Sequence, residues 1–482
     1  MSDLDAVVVG AGPNGLAAAV VLARAGLSVC VYEASAGIGG GARTEAVTLD
    51  GFLHDLGSAV HPLAFASVFF RRFGLADRVE FATPEISYAH PLDGGRVAVA
   101  WRDLDRTVDG LGRDGAAWRD LFGPLVRRHR EVAQFTGSAI LAAPRHPFAA
   151  GLFGLRTLEQ GTGLGALRFA GDAAPALFAG VAAHSLGRKP DLAAAGAALA
   201  LGTHAHAGGW PVPIGGSGAI TRALADDLLA HGGRIVPGVH VRDLGELPSS
   251  RVVLLDTTPA AAMAIAGDRM PPAAARRLLA YRHADGAATV HFALSGPVPW
   301  AADDARAAVT LHLGGTAGEI AHAEAEVAAG RHAAAPYVLV AQPSVVDASR
   351  APAGQHALWA YTHVPSGSDV DQTEVVTRQI ERFAPGFRDV VLATRAFSAA
   401  QLERGNPSLV GGDIGNGETS LLQLVARPRV SPDPWRLAVP GLYLASAATP
   451  PGPGVHGLAG AYAARSALRR EFGIRRLPDL AP

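Results

Sequence analysis

Cysteine is nearly absent from the sequence, with a single residue among 482. One thiol, Cys30, cannot form a disulfide within the chain, a CxxC redox pair or a cysteine-rich zinc site. Cys30 stands in an apolar run, where a free cysteine acts as a small buried hydrophobe. The 18 histidines show no spacing with a carboxylate that is typical of a metal centre. We therefore predict no metal site.

The sequence also lacks a surplus of charge of either sign. Its 42 Lys+Arg residues balance 43 Asp+Glu residues, which leaves a net charge of −1. We expect no nucleic-acid partner, because phosphate backbones attract a basic surface. No apolar run reaches the ~20 residues that cross a bilayer. The first residues are acidic where a secretory signal is basic, so we expect a cytoplasmic protein.

Apolar residues, in contrast, make up 49 % of the chain, enough to build large cores. The clearest folding unit stands at the start. Residues 5–9 are a β-branched run, residues 10–15 read GAGPNG, residues 16–25 are rich in alanine and leucine, and residues 27–33 form an apolar run that ends in Glu33. A GxGxxG turn between a strand and a helix predicts a dinucleotide-binding β-α-β unit.

Each glycine of this unit has a physical task. Gly10 permits the tight turn, Gly12 allows backbone amides to approach a pyrophosphate, and Gly15 lets the helix pack on the strand. The helix N-terminus offers free amides to the phosphates. Glu33 is placed to accept hydrogen bonds from a ribose diol. Its charge disfavours a 2′-phosphate, so NADP is not expected at this site.

A second glycine run follows, and it carries an arginine. Gly40, Gly41, Arg43 and Thr44 match a GG-x-R-[ST] segment, and here the sequence resembles the phytoene dehydrogenase-like flavoproteins. These proteins are a branch of the larger FAD family that includes amine oxidases. In that family the segment lines the FAD pyrophosphate and the flavin.

Three later segments extend the resemblance over most of the chain. Residues 210–219 resemble the family's P-x-GG-x-G turn, residues 234–239 the strand whose backbone binds adenine, and residues 441–457 the second FAD motif. Many relatives carry a histidine where this chain has Pro450, so no acid–base role is carried to that position. The resemblance implies FAD as the cofactor. The residues that it assigns to FAD binding are Gly10, Gly12, Pro13, Asn14, Gly15, Glu33, Ala34, Gly40, Gly41, Arg43, Thr44, Val239, Ser446, Ala447, Gly454, Val455 and His456.

The resemblance implies an α/β fold with two discontinuous domains. A Rossmann-type FAD-binding domain, a mostly parallel sheet with helices, is predicted over residues 1–84, 206–267 and 431–482. An α+β substrate-binding domain, an antiparallel sheet with a helical lid, is predicted over residues 85–205 and 268–430. Residues 85–205 are predicted to be mostly helical. Strand-like runs with one polar face are predicted at 288–294, 309–313, 337–342, 356–363 and 390–397.

In such proteins the cofactor carries the chemistry, and the protein aims a substrate carbon at it. We expect hydride removal from a hydrophobic small molecule, which desaturates a C–C or C–N bond, and reoxidation by oxygen, a quinone or another acceptor. His61, His456 and Trp210 are the candidate catalytic residues. Structural hydrogen bonding is the alternative for both histidines. His204 and His206 alternate, which predicts one face of a strand in a polar cavity wall.

Lysine is as scarce as cysteine, since Lys189 is the only one. Many amine oxidases of the resembled family hold a water near the flavin with a lysine in the later part of the chain. Lys189 comes too early for this role, so an amine oxidase of that type is disfavoured. A redox-neutral, carotenoid-isomerase-like flavoprotein remains an alternative. A flavin-free escort protein of the same fold is another, which the intact glycine turn and Arg43 disfavour. The sequence leaves four points open: the identity of the substrate, the electron acceptor, peripheral membrane contact through residues 138–170, and the formation of a homodimer.

Overall fold

The computed structural model describes residues 4–482; the first three residues, part of the acidic start, lie outside the described range. Two large sheets organise the described part of the chain. The first is a parallel sheet of five strands. Their order across the sheet is Leu442–Leu444, Ser250–Leu255, Leu4–Val9, Val29–Tyr32 and Arg234–Val236. These strands are nearly continuous apolar runs, because helices cover both faces of the sheet.

The predicted β-α-β unit is confirmed at the centre of this sheet. Its helix, Pro13–Arg24, begins at a proline, whose missing N–H is no loss in the first turn. The helix ends before Gly26, which has a φ of 83° that suits glycine at this position. On one face of the sheet it packs beside Gly218–Ala230 and Leu458–Glu471. The other face is covered by Pro259–Ala266 and Pro272–Leu279.

The second sheet has seven strands. Their order is Val391–Phe397, Gly286–Leu294, His356–Val364, Val338–Ala341, Thr310–Leu313, Ile86–Leu92 and Arg96–Trp101. Neighbours are antiparallel except Thr310–Leu313 and Ile86–Leu92, which run parallel. The five strands predicted for this sheet all form.

The other two strands were not predicted. They lie at the start of residues 85–205, and the rest of that segment is mostly helical, as expected. The two strands form a hairpin whose turn, Asp93-Gly94-Gly95, has both glycines at positive φ. A turn of this composition between apolar runs is a strong hairpin signal in the sequence. The domain boundaries themselves stay a prediction.

Six helices follow this hairpin. They are Leu104–Gly110, Gly115–Val126, His129–Thr136, Pro147–Gln160, Ala173–Ala182 and Leu192–Ala207. The last one corrects the strand expected around His204 and His206, because its alanine-rich sequence favours a helix. The two rings therefore point in different directions: His204 borders the cavity, whereas His206 bonds the Trp101 carbonyl and accepts from the Trp118 indole.

The remaining elements are short. The helices are Val68–Phe73, Leu75–Arg78, Asp303–Ala307, Ala317–Val327, Thr373–Glu381, Phe387–Val390, Ala399–Gly405 and Leu421–Val425. Two small ribbons pair Thr44–Glu45 with His54–Asp55 and Phe81–Ala82 with Val212–Pro213. Among residues 4–482, no helix is both long and apolar enough to cross a membrane.

A buried ion cluster joins a loop of the second sheet to the small ribbon that contains Asp55. Arg350, at the end of a turn that leaves the second sheet, bonds Asp55 through Nη2 and lies 2.9 Å from Asp347 Oδ2 through Nε. The three side chains are 0–1 % exposed. Asp55 also accepts from Thr44 Oγ1 at 2.6 Å and from the Ser217 amide at 2.8 Å. The cluster thus holds together three chain segments that are far apart in sequence.

We predict that Arg350→Met destabilises the protein by about 3–5 kcal/mol, because two carboxylates are left buried without their cation. The midpoint of urea unfolding, followed by tryptophan fluorescence, measures this loss. Arg331→Met is the matched control, since its pair with Glu326 is largely solvent-exposed and worth about 0–1 kcal/mol. Equal shifts in the two variants would contradict the structural role of the cluster.

Candidate functional site

A cavity of about 960 Å³ runs from the carboxyl ends of the parallel strands to the second sheet. At one end, which we call the nucleotide end, it is bordered by Val9, Glu33 and Asp256. At the other, the substrate end, its wall includes Thr310 and Tyr361 of the second sheet. Its size is at the upper limit of ordinary ligand pockets. The carboxyl edge of a parallel sheet is also where such folds bind ligands.

The glycine turn at the nucleotide end has no room for side chains. A Cβ on Gly15 would lie 2.1 Å from the Gly10 carbonyl oxygen, and one on Gly12 would lie 2.8 Å from Asp256 Oδ2. Gly10 has a φ of 100°. The helix that starts at Pro13 has no side-chain cap from its own first turn. Pro13 has no N–H and the Gly15 amide bonds Asp256, so the amides of Gly12 and Asn14 are the ones available to an anion.

Glu33 ties this turn to the next loop. Its Oε2 accepts from the Ala11 amide and its Oε1 from the Ser35 amide, each at 2.7 Å. The carboxylate still borders the cavity and keeps spare lone pairs for a further donor. Arg43 supplies the positive charge at this end: its Nε is unpaired and Glu45 is only a loose partner at 3.6 Å. The nucleotide end therefore fits an anionic dinucleotide.

The predicted cofactor-binding residues fall into two groups. Those on the cavity wall are Gly10, Gly12, Pro13, Asn14, Glu33, Ala34, Gly40, Gly41, Arg43, Val239, Ala447, Gly454, Val455 and His456. Gly15, Thr44 and Ser446 stand behind the wall. Thr44 belongs to the Asp55 network, and the Ser446 hydroxyl accepts from the Ala448 amide. The contacts of all these residues with a cofactor stay a prediction.

Asp256 is a cavity residue that the sequence analysis missed. It follows the strand Ser250–Leu255, beside the glycine turn, and its Oδ2 accepts from the Gly15 amide at 2.8 Å. Burial raises its pKa to about 7; the Gly15 amide opposes this shift and the Glu33 carboxylate adds to it. Its place at the carboxyl end of a buried strand was the signal available in the sequence.

His61 is held by a hydrogen-bonded chain that starts at the ion cluster. The Ser217 amide donates to Asp55, and the Ser217 hydroxyl donates to the Ser58 carbonyl. Since the hydroxyl proton is used, the Ser217 oxygen must accept from His61 Nε2, which lies 2.8 Å away. His61 therefore carries its proton on Nε2. Nδ1, which has no partner among the described residues, keeps a free lone pair on a ring that borders the cavity.

Burial keeps the His61 imidazole uncharged. It lowers the pKa of His61 to about 4, with Asp55 opposing the shift and Arg350 adding to it. At neutral pH the ring is therefore a proton acceptor. The position of the free lone pair suits a general base, and the lowered pKa makes the ring a weaker base than a free imidazole.

The other two candidate catalytic residues have no free polar atom. His456 Nδ1 accepts from the Leu458 amide at 3.0 Å, and its Nε2 donates to the Gly452 carbonyl at 3.2 Å. It thereby shapes the loop before the last helix. The Trp210 indole donates to the Leu201 carbonyl at 3.3 Å. Both residues border the cavity, and their catalytic roles stay predictions.

The substrate end is apolar and aromatic, with hydrogen-bonding groups. Trp359 and Tyr361 share one face of a strand because they are two residues apart, and both border the cavity with His184. Asp413 is the carboxylate on this part of the wall, and backbone amides and His283 already occupy its oxygens. Lys189 stands outside the wall, buried near Glu324. Uncharged ligands are favoured here, because a charged one would lack a partner.

Comparisons with known proteins cover nearly the whole chain. The sequence profile described as flavin containing amine oxidoreductase matches residues 14–467. Pyridine nucleotide-disulfide oxidoreductase domain-containing protein 2 of Rattus norvegicus is 26 % identical over 564 residues, which cover 97 % of this chain and 94 % of the relative. Among solved structures, cyclohexylamine oxidase from Brevibacterium oxydans matches with a TM-score of 0.60 at 16 % identity, over 98 % of this chain and 100 % of that one.

A second solved structure, an oxidoreductase from Methanosarcina mazei, has a TM-score of 0.58 at 16 % identity and covers 97 % of this chain and 100 % of its own. At such identities the structural likeness shows the fold alone. The profile match and the flavoprotein oxidases together indicate FAD as the cofactor. The nucleotide end fits this cofactor, since it offers the amides of Gly12 and Asn14, the guanidinium of Arg43 and a cradle that any Cβ would fill.

We predict that FAD binding weakens as pH rises, because deprotonation of Asp256 places a second carboxylate beside an anionic ligand. If the bound diphosphate raises the pKa of Asp256 by one further unit, affinity falls about tenfold through that range. Titration of the apoprotein with FAD between pH 6 and 9, followed by quenching of FAD fluorescence, measures this dependence. Asp256→Asn should bind FAD with little change over the same range. A native protein without pH dependence would contradict the prediction.

Proposed function

Because the chain belongs to the flavin-containing amine oxidoreductase family, we propose that it is an FAD-dependent dehydrogenase of an uncharged, mainly hydrophobic small molecule. The reaction is desaturation of a C–C or C–N bond, as in the phytoene dehydrogenase-like branch. One observation carries the proposal: His61, on the cavity wall, has a free lone pair whose position is fixed by a buried hydrogen-bonded network.

Bound FAD supplies the acceptor for a hydride. The nucleotide end would hold it through the amides of Gly12 and Asn14, the guanidinium of Arg43 and the carboxylate of Glu33. Each of these groups faces the cavity and suits one part of a dinucleotide: the amides and the cation suit the diphosphate, and the acid suits a ribose diol.

His61 would take the proton that leaves with the hydride. Desaturation removes one C–H bond as hydride and a proton from the neighbouring atom, so the protein must accept that proton. Nδ1 of His61 is unprotonated, and Ser217 stabilises the ring orientation from behind. Protonation at Nδ1 then leaves Nε2–H bonded to Ser217, and no other proton needs to move.

The walls of the substrate end support an uncharged substrate. Trp210 packs against Tyr88, with 4.8 Å between the ring centroids and a tilt of 33°, and gives an apolar surface next to His61. A cationic amine would meet no carboxylate that lacks partners at this end. Oxygen, a quinone or another acceptor would complete the cycle.

The test starts with the purified protein, which should be yellow and release FAD on denaturation. Hydrophobic candidate substrates are then mixed with it without oxygen, and the loss of flavin absorbance is followed. Net bleaching supports a dehydrogenase. Substrate conversion without net bleaching supports the redox-neutral isomerase, and a colourless protein that takes up no FAD would overturn the proposal.

We predict that His61→Gln slows flavin reduction by about 10²–10⁴-fold, because the proton acceptor is lost. Anaerobic stopped-flow spectroscopy measures the rate, and the FAD content of the variant should stay unchanged. His322→Gln is the matched control, since His322 is exposed on the helix Ala317–Val327. Reduction of His61→Gln at the native rate would exclude His61 as the base.

A further inference from the structure

A second imidazole at the substrate end has a defined protonation that the proposed reaction does not use. His184 follows the helix Ala173–Ala182 and borders the cavity. Its Nε2 lies 2.9 Å from Nε2 of His312, which stands on the strand Thr310–Leu313 and is fully buried. The two rings meet edge to face, with 5.0 Å between their centroids.

Both rings are uncharged at neutral pH. Burial lowers the pKa of His184 to about 3, and the nearby His363 adds to the shift. Burial also lowers the pKa of His312 well below its ordinary value. A hydrogen bond between the two Nε2 atoms needs a proton on one of them and a lone pair on the other. Each neutral imidazole carries one ring proton, so the structure must decide which ring supplies it.

The surroundings of His312 decide which ring donates. Its Nδ1 is buried and has no hydrogen-bond partner among the described residues. A proton on that nitrogen would be an orphaned N–H, which is rarer and more costly than an unused lone pair. His312 therefore carries its proton on Nε2 and donates it to His184. His184 must then carry its own proton on Nδ1.

The Nδ1 atom of His184 faces a different environment. It has no protein partner among the described residues, and unlike the His312 atom it is not sealed within the protein, because the ring borders the cavity. His184 thus presents an N–H donor to a ligand. Trp210 separates this donor from the free acceptor of His61: its ring centroid is 5.6 Å from that of His184, and the Pro211 carbonyl accepts from the His61 amide.

His90 is the group that could reverse this arrangement. It donates its Nε2 proton to the Gly315 carbonyl at 2.6 Å, so its Nδ1 is an acceptor. That atom is also buried without a partner, and it forms no hydrogen bond with His312. If His312 turned its Nδ1–H toward His90, the proton on the shared bond would come from His184 and the cavity would meet a lone pair instead.

We propose that His184, with its tautomer fixed by His312, is a positioning residue that donates Nδ1–H to an acceptor atom of the substrate. The substrate class is then an uncharged, mainly apolar molecule with a hydrogen-bond acceptor, such as a carbonyl or ether oxygen. That the ligand of His184 is a substrate rests on the proposed function. The tautomer of His184 does not depend on it.

The first test determines the tautomer directly in the holoenzyme. Protein labelled with ¹⁵N-histidine is studied by long-range ¹H–¹⁵N correlation, and the His184 signals are assigned by their loss in His184→Gln. The expected pattern is a protonated Nδ1 and an unprotonated Nε2. A protonated Nε2 on His184 would overturn the proposal, whatever reaction the protein catalyses.

The second test measures recognition with two probes of equal shape. Acetophenone carries a carbonyl acceptor where α-methylstyrene carries a methylene group. Each is titrated into the holoenzyme, and the shift of the flavin absorbance gives its dissociation constant. Acetophenone should bind about two- to tenfold more tightly, the value of one hydrogen bond.

Variants separate the donor from the shape of the side chain. His184→Leu should lose the preference for acetophenone, whereas His184→Gln, which keeps an N–H donor, should retain part of it. His322→Leu is the surface control and should behave like the native protein. Equal binding of the two probes to the native protein, or binding of neither, would overturn the substrate class. Failure of flavin bleaching with a correct tautomer would instead count against the proposed function.

Discussion

The buried ion cluster of Arg350, Asp55 and Asp347 is the interaction on which the cavity depends. In this cluster two carboxylates from distant parts of the chain neutralise a guanidinium that has no contact with solvent. Asp55 Oδ1 accepts from the Ser217 amide, and Asp347 Oδ2, which also bonds Arg350, accepts from the Gly215 amide. The cluster therefore fixes the ribbon that ends at Asp55 and the turn before the helix Gly218–Ala230 against a loop of the second sheet. Residues 57–63, which follow the ribbon, border the cavity.

The same cluster extends into the chemistry of the site. Asp55 orients Ser217, whose hydroxyl has one proton and gives it to a carbonyl, so the bond to His61 can have only one direction. A buried polar network in which each donor has one acceptor specifies a tautomer as well as a position. The free lone pair of His61 is thus a consequence of packing some distance from the cavity.

Burial gives three histidines of the cavity wall the same charge and different capacities. All are neutral, since burial lowers the pKa of His61, His184 and His456. His61 offers a lone pair, His184 an N–H, and His456 neither, because backbone groups occupy both of its nitrogens. The partner of the second nitrogen, and not burial, decides what each ring can do.

Local order along the chain determined the nucleotide end, because strand, glycine turn, helix and Glu33 are contiguous and each follows from short-range propensity. The five strands of the second sheet were likewise predictable from their apolar runs, and the Asp93-Gly94-Gly95 turn held a hairpin signal that was overlooked. Tertiary structure alone decided the rest. The tautomers of His61 and His184 depend on Ser217 and His312, more than a hundred residues away, and the raised pKa of Asp256 depends on enclosure by other segments. Such contacts leave no local pattern in a sequence, since hydrogen-bond partners are chosen by the fold and not by spacing along the chain.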